Sequence, residues 1–547
     1  MIARLGLLAA LTLLAGWLRF SATSFGLPDK YRPDEEYLVS RALGFTEDWN
    51  PHFSVYPAAQ MYLQHALLRV YARVAQPEAR NFQEAYAPSG GALAHLLGRR
   101  LSAAFGTATV PAVYWAGASA GGPLAGLTAA ALVALVPIHV RESRYATTDA
   151  AAVFWITLAV GFVLAMVRRR RYRDYLAAGG LVGLATATKY PAGAMLAGIG
   201  IGHFEARWRE GRSLLRGIFD LRAYAALYLA VVVFLAATPY FVLDWQETVR
   251  GFEYQRGFVA GGIGNPYSGY GWSWLLGRAM PDGFGLGCEL LFGAALLWGL
   301  VRPRPGTLAL AASVAVACLG MTSSHYVFYR YIVVPLPALA VLAGLLVADV
   351  LATRAYLTVR QQAAIAALFL AVLLLPAAVR DVKLIRLLGR EDTRTLARKW
   401  IVEHVPRGAR IAMTDATPYG KPQLPGDYRL IPFAPLATLR SQGVHWVLSD
   451  SSPLRFYSPG PSGTQLAELQ AEATLAFDVD PVKPGAPEPV FDAADAFYAP
   501  LRHIASMTRP GPRIRIWKLN EERAAVAPEP GAAAGWRNGA PGGGSFR

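Results

Sequence analysis

The chain reads as a multi-span, all-α membrane protein with a small α/β domain near its C-terminal end. Three observations predict this. Hydrophobic residues make up 54% of the 547 positions and charged residues only 16%, below the roughly one quarter usual in soluble domains. Apolar runs of roughly 20 residues recur up to position 380, the length a bilayer demands of a helix. The short segments between them are rich in Arg, in the alternating manner that sets membrane topology.

The runs give about eleven helical spans, near 3–20, 100–118, 123–139, 150–167, 175–189, 191–204, 222–243, 284–301, 306–322, 331–350 and 362–380. The first has an early Arg4 and no clear small-residue cleavage site before the acids that follow. It reads as an uncleaved span. The fifth and sixth are short and divided at Lys189-Tyr190-Pro191, where proline breaks a continuous helix. Arg168 to Arg171 with Arg173, then Arg207, Arg209, Arg212 and Arg216, then Arg302 with Arg304 and Arg354 with Arg360, all fall on one side of the alternation. That side is expected to be cytoplasmic.

The net charge is +16, but it clusters between apolar runs, and no nucleic-acid-binding motif accompanies it. Cys288 and Cys318 lie in apolar runs and read as packing thiols, not as a disulfide or a metal site. No P-loop, GxSxG, HExxH or paired CxxC is present.

The opposite side receives loops 21–99, 140–149, 244–283 and 323–330 and everything after 381. It holds most of the acids, aromatics and histidines, so chemistry is expected there. Within 21–99, the stretches Asp34 to Gly44 and Tyr56 to Val74 are expected to be helical, the second with apolar residues at helical spacing, and suit interfacial helices, with Trp49 and Phe53 at headgroup level. The 244–283 loop is aromatic and Gly-rich. Beyond 381, Asp392 to His404 and Leu436 to Gln442 predict helices. Arg410 to Met413, His445 to Leu448 and Arg513 to Trp517 predict strands. The domains are therefore 1–380 in the membrane, 381–522 as an extracytoplasmic α/β unit, and 523–547 as an Ala/Gly/Pro-rich disordered tail.

Four stretches carry groups capable of chemistry. The first is Arg32-Pro33-Asp34-Glu35-Glu36-Tyr37, three acids shortly after the first span. They are either solvated carboxylates opening a surface helix or charges kept near the membrane boundary for work. Adjacent residues on a helix point about 100° apart, so only one of Asp34 and Glu35 faces a given cleft. The second is Arg141 to Asp149, in which Asp149 either caps the next helix or stands beside Asp34. The third is Lys189-Tyr190. A lysine in an apolar segment needs a partner or snorkels to the interface, and an anionic phosphate is the attractive partner. The fourth is His325 to Tyr331, in which Arg330 suits capture of a phosphate oxygen pair or anchors an aromatic belt. His325 has no partner at ligand spacing, so no metal site is expected.

In order along residues 1–380, these pieces resemble glycosyltransferase family 39, the protein-mannosyltransferase-like group of C-type membrane glycosyltransferases. The pieces are Pro33-Asp34-Glu35; Asn50-Pro51-His52 to Tyr56-Pro57; Arg100 to Gly106; Ser143 to Asp149; Thr188-Lys189-Tyr190; and Arg330-Tyr331 with Pro335. The resemblance implies transfer of a sugar from a polyprenyl phosphate to a hydroxyl of a protein, lipid or glycan. Asp34 would be the catalytic base. Glu35, Arg144, Asp149, Lys189, Tyr190, His325, Arg330 and Tyr331 would bind substrate. No cofactor is assigned; a divalent metal is compatible with such transfer but not implied, because basic side chains can do its work. Lipid A aminoarabinose transferases carry Glu-Lys-Pro-Pro where this chain reads Ser54-Val55-Tyr56-Pro57, so that specificity is not carried over. The expected location is the inner (plasma) membrane, with the site facing outward and no nucleic-acid partner. The alternative is a transporter or flippase of lipid-linked sugars, which would call for inverted repeats with broken helices; none is seen.

Overall fold

The computed structural model describes residues 2–46, 48–79, 81–261, 271–324, 327–354, 356–414, 420–451, 461–492, 495 and 499–520. His325 and the tail expected at 523–547 lie outside the described residues.

Helix α1, Ile2–Phe20, is followed by two helices of the 21–99 segment, α2 (Pro33–Gly44) and α3 (Ala59–Ala75). Proline at the first helical position fixes φ for the start of α2. Asp34, Glu35 and Glu36 fill its first turn, where carboxylates complement the helix dipole. Helix α4, Ala92–Leu135, covers most of both the second and third expected spans; Gly122, at φ 83° and ψ 177°, breaks it in the middle, ahead of Pro123. A short α5, Pro137–Glu142, leads to α6, Asp149–Arg169, and α7, Tyr172–Thr188.

At the expected break, Lys189 is extended and a 3₁₀ turn, Tyr190–Ala194, precedes α8, Met195–Arg209. Helix α9 spans Leu221–Ala237. The aromatic segment after it is helical where described. It contains α10 (Tyr240–Leu243), α11 (Trp245–Gly261), α12 (Gly271–Trp274), a π turn (Leu275–Ala279) and α13 (Met280–Phe284). Then come α14 (Leu286–Val301), α15 (Thr307–Thr322), α16 (Leu336–Ala352) and α17 (Val359–Leu388).

Among the described residues, Ala92–Leu135, Asp149–Arg169 and Val359–His404 are long and apolar enough to cross a membrane. A fourth span arises if Gly271–Phe284 and Leu286–Val301, bent by 119°, count as one. Leu221–Ala237, Thr307–Thr322 and Leu336–Ala352 are apolar but shorter. The core lies between α4, α6 and α16, where Val113, Leu132, Ile156, Val160, Val341 and Leu342 are fully buried. Small residues let the helices meet closely. A Cβ on Gly179 or Gly183 of α7 would stand 2.0 or 2.2 Å from backbone carbonyls of Ala226 or Ala230 on α9, so only glycine fits.

Helix α17 runs eight residues past the expected domain boundary at 380. The C-terminal part then holds α18 (Thr393–His404), α19 (Leu436–Ser441) and α20 (Gly463–Glu472). They accompany a five-stranded sheet of β1 (Arg410–Met413), β2 (Arg429–Pro432), β3 (Trp446–Ser451), β4 (Ala473–Val479) and β5 (Arg513–Leu519). The order is β2-β1-β3-β5-β4. β1 is parallel to β2 and β3, while β5 is antiparallel to β3 and β4. Helix α20 and strands β2 and β4 were not expected from sequence. β2 is short, and Thr474, Leu475, Ala476 and Asp478 of β4 are exposed, so neither presents a strong buried apolar run.

Candidate active site

Five chain segments converge at one end of the helical core. The first turn of α2 brings Asp34. The α5–α6 connection brings Arg141, Glu142 and Asp149, and the break after α7 brings Lys189. A 3₁₀ turn, Tyr329–Val333, brings Arg330 and Tyr331. The segment after the sheet's fourth strand brings Asp495.

Arg330 is the centre. Its Nη1 lies 2.6 Å from Asp34 Oδ2 and 3.2 Å from Asp495 Oδ2, and its Nη2 donates to the Tyr56 hydroxyl at 3.3 Å. The guanidinium is 3% exposed and the Asp34 carboxylate 20%. Beside them, Arg32 reaches Glu142 at 3.4 Å and Asp495 at 3.5 Å and lies over the Tyr145 ring, 3.6 Å from its centroid. Lys189 pairs with Asp149 and sits 5.0 Å from the centroid of the Tyr331 ring. Asp149 also accepts from the Thr147 hydroxyl at 3.2 Å. It therefore stands in the first turn of α6 and faces the cluster as well. Tyr190 donates to the Ser54 carbonyl at 3.2 Å and packs on Phe252, bracing the 21–99 segment and α11 against the break.

Burial pushes the Asp34 carboxyl up, but the guanidiniums of Arg330 and Arg32 outweigh it and hold Asp34 below its usual range; Asp149 opposes them weakly. Burial would lower Arg330, yet Asp495 and then Asp34 hold it well above its ordinary value. Tyr56 is raised well above the usual tyrosine range, by burial first and then by the Asp34 charge. The arrangement is an ionised carboxylate, partly open to solvent, set among cations that can receive an anion.

Two residues expected at the site are not brought to it. Glu35 points the other way. Its oxygens take both arms of Arg99, at 2.9 and 2.8 Å, and accept the Ala146 N–H at 2.7 Å. Arg144 is buried and donates to the Leu18 and Ser21 carbonyls, satisfying acceptors that the end of α1 leaves unpaired. Both brace the fold; for Glu35 the cause is that the helical turn which aims Asp34 at the cluster aims its neighbour at the core. Conversely, sequence reasoning missed Arg32, Tyr56, Glu142 and Asp495. The first was legible as the cation two residues before Asp34. Asp495 carries no local signal at all. Among the described residues, no group of three or more His, Cys, Asp or Glu side chains is arranged to hold a metal ion.

Residues 67–248 match the family model described as dolichyl-phosphate-mannose-protein mannosyltransferase. That segment includes α6, Lys189 and the loop bearing Arg144, but neither Asp34 nor Arg330. No curated protein sequence matches the chain. Among solved structures, the chain is similar to the oligosaccharyltransferase of Archaeoglobus fulgidus in complex with Zn and sulfate. The TM-score is 0.52 at 14% identity, over 85% of this chain and 69% of that one. The same archaeal enzyme, AglB, in complex with an inhibitory peptide and a dolichol-phosphate gives 0.50 at 13% identity, over 87% and 73%. ArnT from Cupriavidus metallidurans bound to undecaprenyl phosphate gives 0.47 at 18% identity, over 73% and 72%. At such identities the structural likeness speaks to fold. The chain thus has the C-type membrane glycosyltransferase fold of the archaeal oligosaccharyltransferase and resembles the protein-mannosyltransferase family expected from its sequence.

Proposed function

We propose that the protein is a membrane glycosyltransferase that moves a sugar from a polyprenyl-phosphate donor to a hydroxyl on a protein, lipid or glycan. The observation that carries this reading is the pairing of Asp34 with Arg330 at 2.6 Å, beside the Lys189–Asp149 pair. Together the pairs set two carboxylates and two cations from four distant segments in one cluster.

In this reading Asp34 takes the proton of the acceptor hydroxyl. The acceptor oxygen bonds to the anomeric carbon from the face opposite the phosphate, inverting the centre. The bond from that carbon to the phosphate oxygen breaks, and its electron pair stays on the departing polyprenyl phosphate. A phosphate is already a weak base, so it needs positive charge more than a proton. Arg330, Arg32 and Lys189 supply that charge, with Tyr56 beside Arg330 and Tyr331 beside Lys189. A positioned base of this kind contributes about 10²–10⁴-fold. Because Arg330 holds Asp34 ionised, the base is ready at neutral pH but weak, which suits a proton transfer that follows attack.

A donor with an isoprenoid tail must be met at a bilayer surface, and the apolar helices of the chain suit it. The Arg-rich connections favour an outward-facing site in the inner (plasma) membrane, and the eleven apolar runs of the sequence are taken as its crossings. The test is to incubate purified protein with a panel of radiolabelled polyprenyl-phosphate sugars, hexoses and pentoses together. Time-dependent release of label from one donor to water or to a hydroxyl acceptor is expected. Retention of label on every donor, with lipid translocation in vesicles instead, would favour a flippase.

A further inference from the structure

Asp495 is the one group in the cluster that the C-terminal unit supplies. Its Oδ2 lies between two guanidiniums, 3.2 Å from Arg330 and 3.5 Å from Arg32. Its backbone carbonyl accepts from Arg141 at 3.0 Å. The carboxylate is 1% exposed, and its Oδ1 has no hydrogen-bond partner among the described residues. A buried carboxylate satisfied on one oxygen only is costly. The seat it occupies, between two guanidiniums, is one that suits a phosphate.

The charge count bears on this. Asp34, Glu142, Asp149 and Asp495 are paired with Arg32, Arg141, Lys189 and Arg330. The cluster is neutral as it stands. A phosphodiester adds one negative charge in a poorly hydrated place, where uncompensated charge is expensive. Were one carboxylate to give up its cations, the balance would return. Asp34 is held at 2.6 Å, while Asp495 sits at longer range and shares its cations. Other ties hold its segment: Asp492 Oδ2 accepts the Tyr329 N–H at 3.0 Å, and Arg502 pairs with Asp282 at 2.8 Å.

We propose that Asp495 is a competing counter-ion of the donor-phosphate site, its carboxylate and the phosphate contending for Arg330 and Arg32. The inference rests on the glycosyl-transfer reading above. It makes the C-terminal unit a regulator of how tightly the lipid phosphate is held, and hence of how fast the product, a polyprenyl monophosphate, leaves.

The test compares wild type, Asp495→Asn and Asp495→Glu, full length and purified in detergent. Binding of undecaprenyl monophosphate is measured, followed by steady-state transfer with whichever donor the wild type turns over. Asp495→Asn should bind the probe about tenfold tighter and lower both donor KM and kcat, while Asp495→Glu restores all three. A merely structural role would raise KM and would not tighten binding. Melting temperatures of the three proteins show whether each is folded; the Glu variant carries the test if the Asn variant is not, with wild-type-like binding expected of it. Unchanged or weaker binding by a folded Asp495→Asn overturns the inference while leaving the transferase reading intact. Absence of saturable probe binding and of turnover in the wild type overturns both.

Discussion

Arg330 Nη1 lies 2.6 Å from Asp34 and 3.2 Å from Asp495. One guanidinium nitrogen therefore joins the first turn of α2 to the segment after β4. The turn that carries it, Tyr329–Val333, opens helix α16, which lies in the core. The Asp34 carboxylate is thus held by a group whose turn leads into a core helix.

The first consequence concerns pH. Arg330 and Arg32 hold the Asp34 carboxyl low against the effect of burial. A base must be deprotonated to act, so activity should be flat through neutral pH and fall only below about pH 4, beneath the ordinary aspartate value. Arg330→Gln removes a cation and leaves burial less opposed, so the acid limb should move upward as activity drops. A pH–rate profile of both proteins, each checked for folding at the acid end, measures this.

Glu35 should matter for stability and not for chemistry. Its ion pair with Arg99 is buried and two-armed. Removing one partner of such a pair strands the other, at about 3–5 kcal/mol. Arg99→Met should lower the melting temperature sharply, and the folded remainder should keep its donor KM. Burial raises the Glu35 carboxyl, but Arg99 more than reverses this, so its folded value lies below the ordinary one. The stabilisation is therefore present above about pH 4.3 and lost as pH falls below it. Thermal melts of wild type and Arg99→Met should converge as the medium is acidified.

Arg144→Met should behave similarly for a different reason. The side chain caps carbonyls at the end of α1, and hydrogen bonds from a charged donor are worth about 1.5–3 kcal/mol. Loss of stability with unchanged KM is expected in combined melting and kinetic measurements. A rise in KM for the donor at unchanged stability would return Arg144 to the substrate.

Lys189 and Asp149 offer a double-mutant cycle. Each single apolar substitution leaves a buried partner uncompensated, at about 3–5 kcal/mol. The double variant Lys189→Met with Asp149→Leu should regain much of that stability but not the transfer rate, because the cation near the departing phosphate is gone. Recovery of activity along with stability would make the pair purely structural.

Much of this was legible in the sequence for physical reasons. Asp34 follows a proline that starts a helix. Lys189 precedes the proline that breaks one, and Arg330 sits where an apolar run begins. Local rules suffice for each. Positions of the apolar helices followed from run length, although the second and third expected spans lie largely in one helix, with Gly122 breaking it in the middle. Helix α11 was hidden because Gly251 and Gly257 dilute its pattern. Gly251 is needed for contact, since a Cβ there would meet Ser54 at 2.8 Å. Partner choice was not legible at all. That Glu35 turns to Arg99, or that Asp495 returns to Arg330 from far along the chain, depends on tertiary packing and leaves no trace in spacing.

The most direct measurement is the rate of sugar release from a polyprenyl-phosphate donor by purified wild type and Asp34→Asn, matched for folding by melting temperature. The account predicts turnover by the wild type and a loss of at least about 10²-fold in the variant. Wild-type-like turnover by a folded Asp34→Asn protein would contradict it.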